Sequence, residues 1–362
     1  MSEHENQFET LHEIVKKAKQ RLTPDIWDYL IGGTETETTV KRNRMALDSL
    51  AFRPRVLRNV EHVDTSVEFL GYRLRLPVLL APIGSLESFE AGGGASAAKA
   101  AAEFGTMNIQ SSVSAPGLEA TAEAAGNPKI FQLYVRGDDA FVDDYARRAI
   151  AAGYVAFCIT VDTAHYSRRE RDITKRFVKP WRRDATGTEF QKALNWDNIR
   201  RFKDTHDIPL ILKGIATPED AEMACECGVD VVYVSNHGGR QLDHGRGSTA
   251  ALPDVLAAVK GRARVIVDGG FNRGTDVVKA LALGADAVSV GRMLGFGLAA
   301  DGVAGVHRML ELLEDEVRTC LGLLGVTCFG ELDGSYLASD IPPDRPHVLS
   351  AFPLIAPDET RY

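Results

Sequence analysis

Cysteine is scarce. The 362 residues hold five, and only Cys225 and Cys227 lie near each other. That spacing excludes a disulfide framework and a zinc-ligand pattern, so no metal is expected and a reducing cytoplasm is. Positive charge is in deficit, with 42 Lys and Arg against 50 Asp and Glu, a net −8. A nucleic-acid binder needs a basic footprint, and docking on anionic lipid needs one too. No apolar run approaches the roughly 18 residues of a membrane span. Met1 to Glu9 is polar and acidic, which predicts no secretory signal. What remains, with 44% hydrophobic and 25% charged residues, is an ordinary globular balance.

What is present is a repeated grammar. An Ala-rich helical stretch ends in Gly, and a short apolar run follows. This occurs at Ala95–Gly105 before Met107–Gln110, and at Phe141–Gly153 before Val155–Val161. It recurs at Pro218–Gly228 before Val231–Val234, and at Thr275–Gly284 before Ala287–Val290. Val78–Ala81, Ile130–Leu133, Leu210–Leu212 and Val265–Val267 complete eight apolar runs. Continuous apolar strands, unlike alternating ones, belong to a parallel sheet buried on both faces. Eight such units predict an α/β fold, a (β/α)8 TIM barrel in a single domain with its core at about residues 77–330. A doubly wound sheet is the runner-up, but Gly92–Gly94 lies too far past the first strand to be its dinucleotide turn. The segment to about Leu57 reads as N-terminal helices, and Pro-rich 331–362 as an extended arm. About 45 residues, Thr163 to Pro209, separate the fourth and fifth strands, a candidate lid over the catalytic face.

The strongest local signal is Ser235-Asn236-His237-Gly238-Gly239-Arg240-Gln241, directly after Val231–Val234. A barrel delivers strand C-termini to its active face, so His237 and Arg240 arrive there together. An imidazole accepts a proton near neutral pH, and a guanidinium grips a carboxylate through paired hydrogen bonds. Lys213, at the end of the fifth strand, is either a solvated charge or a counter-ion for a cofactor. Asp162, ending the fourth, either orients an imidazole or caps a helix. Asp268-Gly269-Gly270 and Gly291-Arg292 follow the last two strands, where barrels commonly bind phosphate.

From about Leu22 to Gly330 the chain resembles the FMN-dependent α-hydroxy-acid oxidase and dehydrogenase family, and the Ser-Asn-His-Gly-Gly-Arg-Gln run is that family's signature. The resemblance implies FMN as cofactor and oxidation of an (S)-2-hydroxy acid to the 2-oxo acid. It implies His237 as the base, paired with Asp162, and Tyr134 on the substrate hydroxyl. It implies Tyr29 and Arg240 on the substrate carboxylate, with Arg169 as accessory. Lys213 would sit by flavin N1, and Ser111, Gln132, Thr160 and Ser235 by the ring or ribityl chain. Pro82, Ile83, Gly84, His237, Gly238 and Arg240 would border the flavin. Asp268, Gly270, Gly291 and Arg292 would hold the ribityl and phosphate. The same resemblance implies a homotetramer or homo-octamer.

The chain also departs from that family. Asn272 stands where an arginine of the phosphate turn is usual, weakening one contact, with Arg273 or Arg292 as compensation. Gly84 and Val113 replace larger residues, which predicts a substrate bulkier than glycolate or lactate, mandelate-like, unless neighbours refill the space. Glu87-Ser88-Phe89-Glu90-Ala91-Gly92 replaces a His-Pro stretch, and the lid looks short. The basic run Lys175–Arg183 reads as a solvated lid that draws in anions. His165 and His244 read as loop residues. With no haem domain or iron–sulfur cysteine set in view, O2 is the most economical acceptor, although a quinone or carrier protein would also serve. Another FMN barrel enzyme, acting on an amine or modified peptide, has no reason to keep Tyr29, Arg169 and Arg240 together. A non-catalytic flavin binder has no need of His237, Asp162, Tyr134 and Lys213 as a set.

Overall fold

A computed structural model describes residues 8–183, 185–342 and 345–355. Eight parallel strands close into a barrel: β1 (Val78–Leu80), β2 (Asn108–Ser111), β3 (Lys129–Leu133), β4 (Ala156–Thr160), β5 (Leu210–Ile215), β6 (Val231–Val234), β7 (Arg264–Val267) and β8 (Ala287–Val290). Each pairs with its sequence neighbour, and β8 returns to β1 through Val288–Val78 and Val290–Leu80. All eight expected runs are strands, with ends that differ by at most three residues.

Closure explains their continuous hydrophobicity. Leu79, Ile109, Ile130, Cys158, Ile211, Val231, Tyr233, Ile266 and Ala287 form one buried cluster inside the barrel. Alternate residues such as Leu80, Phe131, Phe157, Leu212, Val232 and Val288 belong to the outer cluster shared with the helices. Both faces are covered, so most positions of the two-residue repeat are apolar, and polar residues gather toward the strand ends. The hairpin Val67–Phe69/Tyr72–Leu74 brings Phe69 and Leu74 into the inner cluster, closing the bottom. Helix Gly93–Phe104 ends in Gly105 at φ 94°, and Gly274–Leu283 in Gly284 at φ 110°, the left-handed caps the grammar predicts.

Helices Leu11–Arg21, Pro24–Ile31 and Thr38–Asp48 precede the barrel. The first begins with a capping box between Thr10 and Glu13, and packs on the long helix Arg292–Leu324, which bends at Asp301–Gly302. The segment after residue 330 is not a free arm. Leu337–Ser339 pairs antiparallel with Leu50–Phe52, and Leu349, Phe352 and Ile355 are buried against the chain's own core. Among the described residues no helix is long and apolar enough to cross a membrane.

One buried ion pair fastens the N-terminal helices to the far end of the barrel. Both Arg44 nitrogens meet Asp276 at 2.7 Å, and Arg44 also donates to the Gly270 carbonyl at 3.1 Å. The Asp276 carboxylate accepts from the Asn272 and Arg273 amides at 3.0 Å, capping helix Gly274–Leu283. Removing one member of such a pair leaves an uncompensated charge. Asp276→Ala is therefore expected to lower stability by about 3–5 kcal/mol, read from the urea-unfolding midpoint and slope.

Candidate active site

The inward alternation continues past the strand ends, where apolar gives way to polar. Following Ile130, β3 presents Gln132 and then Tyr134. Following Cys158, β4 presents Thr160 and then Asp162. Lys213 and Ser235 follow Ile211 and Tyr233, and Asp268 follows Ile266. These groups are joined at the barrel mouth. Ser111 donates to Gln132 at 2.7 Å, and Gln132 to Thr160 at 2.8 Å. Lys213 donates to Ser235 at 3.2 Å, and Ser235 to Asp268 at 2.7 Å.

Above this floor lies a cavity of about 480 Å³. His237 lines it, held at φ 59° with Gly238 at 64° and Gly239 at 77°, three successive left-handed residues. A Cβ at Gly239 would lie 2.7 Å from the Val40 backbone nitrogen, so only glycine fits there. The His237 Nδ1 lies 3.0 Å from one Asp162 oxygen and 3.2 Å from the other, and Nε2 lies 3.3 Å from the Tyr134 hydroxyl. A carboxylate only accepts, so Nδ1 carries the proton and Nε2 keeps its lone pair. Burial and then Lys213 lower the His237 pKa and Asp162 opposes both, with the net effect a fall from 6.5 to about 4. Burial alone would raise the Asp162 carboxyl, but His237 and Lys213 outweigh it and hold it below its ordinary range. The pair is thus a neutral imidazole beside an ionised carboxylate.

Arg240 reaches back to the Tyr29 and Gly32 carbonyls at 2.6 and 3.1 Å, and lies 4.9 Å over the Tyr29 ring. Arg169 donates to the Arg240 carbonyl at 3.2 Å and to Gln241 at 3.3 Å. Tyr29 donates to the Gly84 carbonyl at 2.6 Å and stacks on Phe89. Neither Arg169 nor Arg240 has a carboxylate partner among the described residues. Both line the cavity, and burial lowers the proton affinity of Arg240. A desolvated cation without a counter-ion marks a place for an anion.

At the other end the cavity is lined by Gly269, Gly270, Asn272, Gly291 and Arg292. Among the described residues, Arg292 hydrogen-bonds to the Ile31, Gly32 and Gly238 carbonyls, at 2.9–3.2 Å. Pro82, Ile83, Gly84, Val113, Lys213, Gly238 and Asp268 complete the expected lining. Ser111, Gln132, Thr160 and Ser235 form the buried floor network instead of the wall.

Two expectations change. Arg273 is no substitute for the missing arginine at 272: it turns away to Glu316, at 2.5 and 3.1 Å, and to the Ala351 carbonyl at 3.1 Å, outside the cavity. Its own helix start, capped by Glu316, sets that direction. The basic run is not a solvated lid throughout. Lys179 is buried, bonded to Tyr166 and to Asp172 at 2.8 Å, and Trp181 lines the cavity. The Trp181 Nε1 lies 3.2 Å from where a Gly84 Cβ would stand, so the lid refills part of the space glycine opens. Lys175 and Arg171 tie this segment to Asp28 at 2.5 and 3.3 Å. Asn43, Arg44, Arg136, Tyr166 and Val348 also line the cavity and carry no local sequence signal. His165 lines it as well, whereas His244 is exposed near Thr36.

The family described as FMN-dependent dehydrogenase matches residues 18–339. The chain belongs to that family. Glycolate oxidase 3 of Arabidopsis thaliana is 37% identical, over 94% of this chain and 98% of its own. L-lactate oxidase of Nostoc sp. (strain PCC 7120 / SAG 25.82 / UTEX 2576) is 37% identical, over 90% and 97%. A crystal structure of mandelate oxidase superposes with a TM-score of 0.85 at 36% identity, covering 92% of this chain and 99% of that one.

The cavity fits the family's FMN. The buried Lys213 and the half-buried Arg292 supply two cations, and the glycine turns at 269–270 and 291 leave backbone exposed for a phosphate. With Asn272 at that end, one guanidinium is missing. Asn272→Arg is expected to raise FMN affinity by roughly tenfold or more, measured by fluorescence titration of flavin-free protein. Unchanged affinity would show the turn to be saturated already.

Proposed function

We propose that this protein is an FMN-dependent oxidase that converts an (S)-2-hydroxy acid to the 2-oxo acid. The observation that carries the reading is the convergence of Tyr29, Arg169 and Arg240 with the Asp162–His237–Tyr134 cluster in one cavity. Oxidation takes two electrons and two protons from a Cα–OH. FMN, when bound, would supply the acceptor for both electrons and for the proton that His237 does not take. Arg240 and Arg169 hold the carboxylate, and Tyr134 meets the hydroxyl. His237 Nε2 receives a proton, and Asp162 stabilises the imidazolium that results. Because Arg240 is clamped by backbone carbonyls, the acid binds in a fixed orientation.

The substrate we propose is bulkier than glycolate or lactate, a mandelate-like acid. Gly84 and Val113 support this, as does the likeness to mandelate oxidase. Trp181 comes from the lid, so the room beside Gly84 depends on that loop. O2 is the proposed acceptor, in keeping with relatives named as oxidases. A reducing cytoplasm suits five unpaired cysteines. Assembly as a tetramer or octamer is a proposal that light scattering on the flavoprotein tests.

Anaerobic mixing with glycolate, lactate, 2-hydroxyoctanoate and mandelate should bleach the flavin, with kcat/KM highest for mandelate. A glycolate optimum would refute the bulky-substrate reading, and peroxide formed in air identifies the acceptor. His237→Ala should cut the bleaching rate by roughly 10²–10⁴ while FMN stays bound. Burial favours the neutral imidazole, so activity persists as pH falls below 6.5 and is lost only toward about 4. An acid limb of kcat/KM near pH 7 would contradict that assignment.

A further inference from the structure

The lid-lined wall of the cavity holds more positive charge than one carboxylate needs. Arg136 follows Tyr134 by two residues and so continues the inward series of β3. Its guanidinium lies 4.3 Å over the Trp181 ring. Arg182 lies 3.6 Å over the Tyr166 ring, and Tyr166 meets Trp181 edge-on at 6.3 Å. Lys179 approaches the same Tyr166 ring at 5.0 Å. All five line the cavity.

Among the described residues the acids do not match these cations: Asp172 is taken by Lys179 at 2.8 Å. Among the described residues, neither Arg136 nor Arg182 has a carboxylate within ion-pair distance. Arg136 is half-buried, and that burial lowers its proton affinity. Arg169 and Arg240 already serve the reacting carboxylate. An apolar substrate end would leave the half-buried Arg136 guanidinium over the Trp181 face as a desolvated cation without a counter-ion, which is unfavourable, and Arg182, exposed to solvent, adds a second guanidinium to the lining of the same cavity.

We propose that this wall is a second anion subsite. The preferred 2-hydroxy acids then carry a further oxyanion, a carboxylate, phosphate or sulfonate, at the end distal to the reacting carboxylate. Arg136 and Arg182 hold it, and Trp181 and Tyr166 form the aromatic surface beneath the connecting part of the molecule. Guanidinium forks suit such groups because two parallel hydrogen bonds form at once. The inference rests on the reading of the site as a 2-hydroxy-acid oxidase.

The test compares (S)-mandelate, (S)-4-methylmandelate and (S)-4-carboxymandelate on the holoenzyme. The methyl compound matches the added bulk without charge. The carboxylate is expected to raise kcat/KM over the methyl compound by roughly tenfold, the effect of one charge-assisted contact. In Arg136→Gln and Arg182→Gln, each checked for retained FMN, that ratio falls toward one. General electrostatic steering would instead lower all three substrates together. A 4-carboxymandelate value equal to or below that of 4-methylmandelate overturns the proposal and leaves 2-hydroxy-acid oxidation standing. If no 2-hydroxy acid bleaches the flavin, the oxidase reading fails, and the subsite is judged by binding alone. Terephthalate should then perturb the flavin spectrum at lower concentration than benzoate, and lose that advantage in Arg136→Gln. Equal binding of the two would overturn the subsite.

Discussion

Closing eight parallel strands into a barrel fixes which side chains look inward, and the rest of the molecule depends on that alternation. Low in the barrel the inward positions are Ile130, Cys158, Ile211 and Tyr233, a dry plug. One to three steps higher the same series supplies Gln132, Tyr134 and Arg136, or Thr160 and Asp162, or Lys213. A one-residue slip in any strand would turn its polar end outward and dissolve the hydrogen-bonded floor. The proposed catalytic constellation is thus a by-product of register, and the dry plug below gives its charges a low-dielectric base. Beyond β6 the strand geometry stops, and left-handed backbone at His237, Gly238 and Gly239 takes over the aiming.

The strands were legible because both faces of each are buried, which removes polar residues from the run. The motif after β6 was legible because its chemistry and its position agree. Other features depend on contacts that no local pattern encodes. Arg273 had two possible directions, and only the placement of Glu316 on a distant helix selects one. Lys179 looked like one cation in a basic run. Its burial follows from the lid folding onto helix Pro24–Ile31, where Arg171 meets Asp28, 143 residues away in sequence. Trp181 beside Gly84 is likewise a meeting of two loops.

Net charge was a poor guide to the ligand. The chain is acidic overall, yet Arg136, Arg169, Arg182, Arg240 and Arg292 surround one cavity with few acids among them. Acidic residues lie mostly elsewhere, while the cavity walls concentrate the opposite sign where field lines are least screened. The sign of a site is set by which residues closure and the lid bring together.

The C-terminal segment belongs to this same design. Val348 forms part of the cavity wall, and Arg273, next to Asn272, holds the Ala351 carbonyl. The last described turn of the chain therefore helps shape the cavity wall, even though it contributes no reactive group.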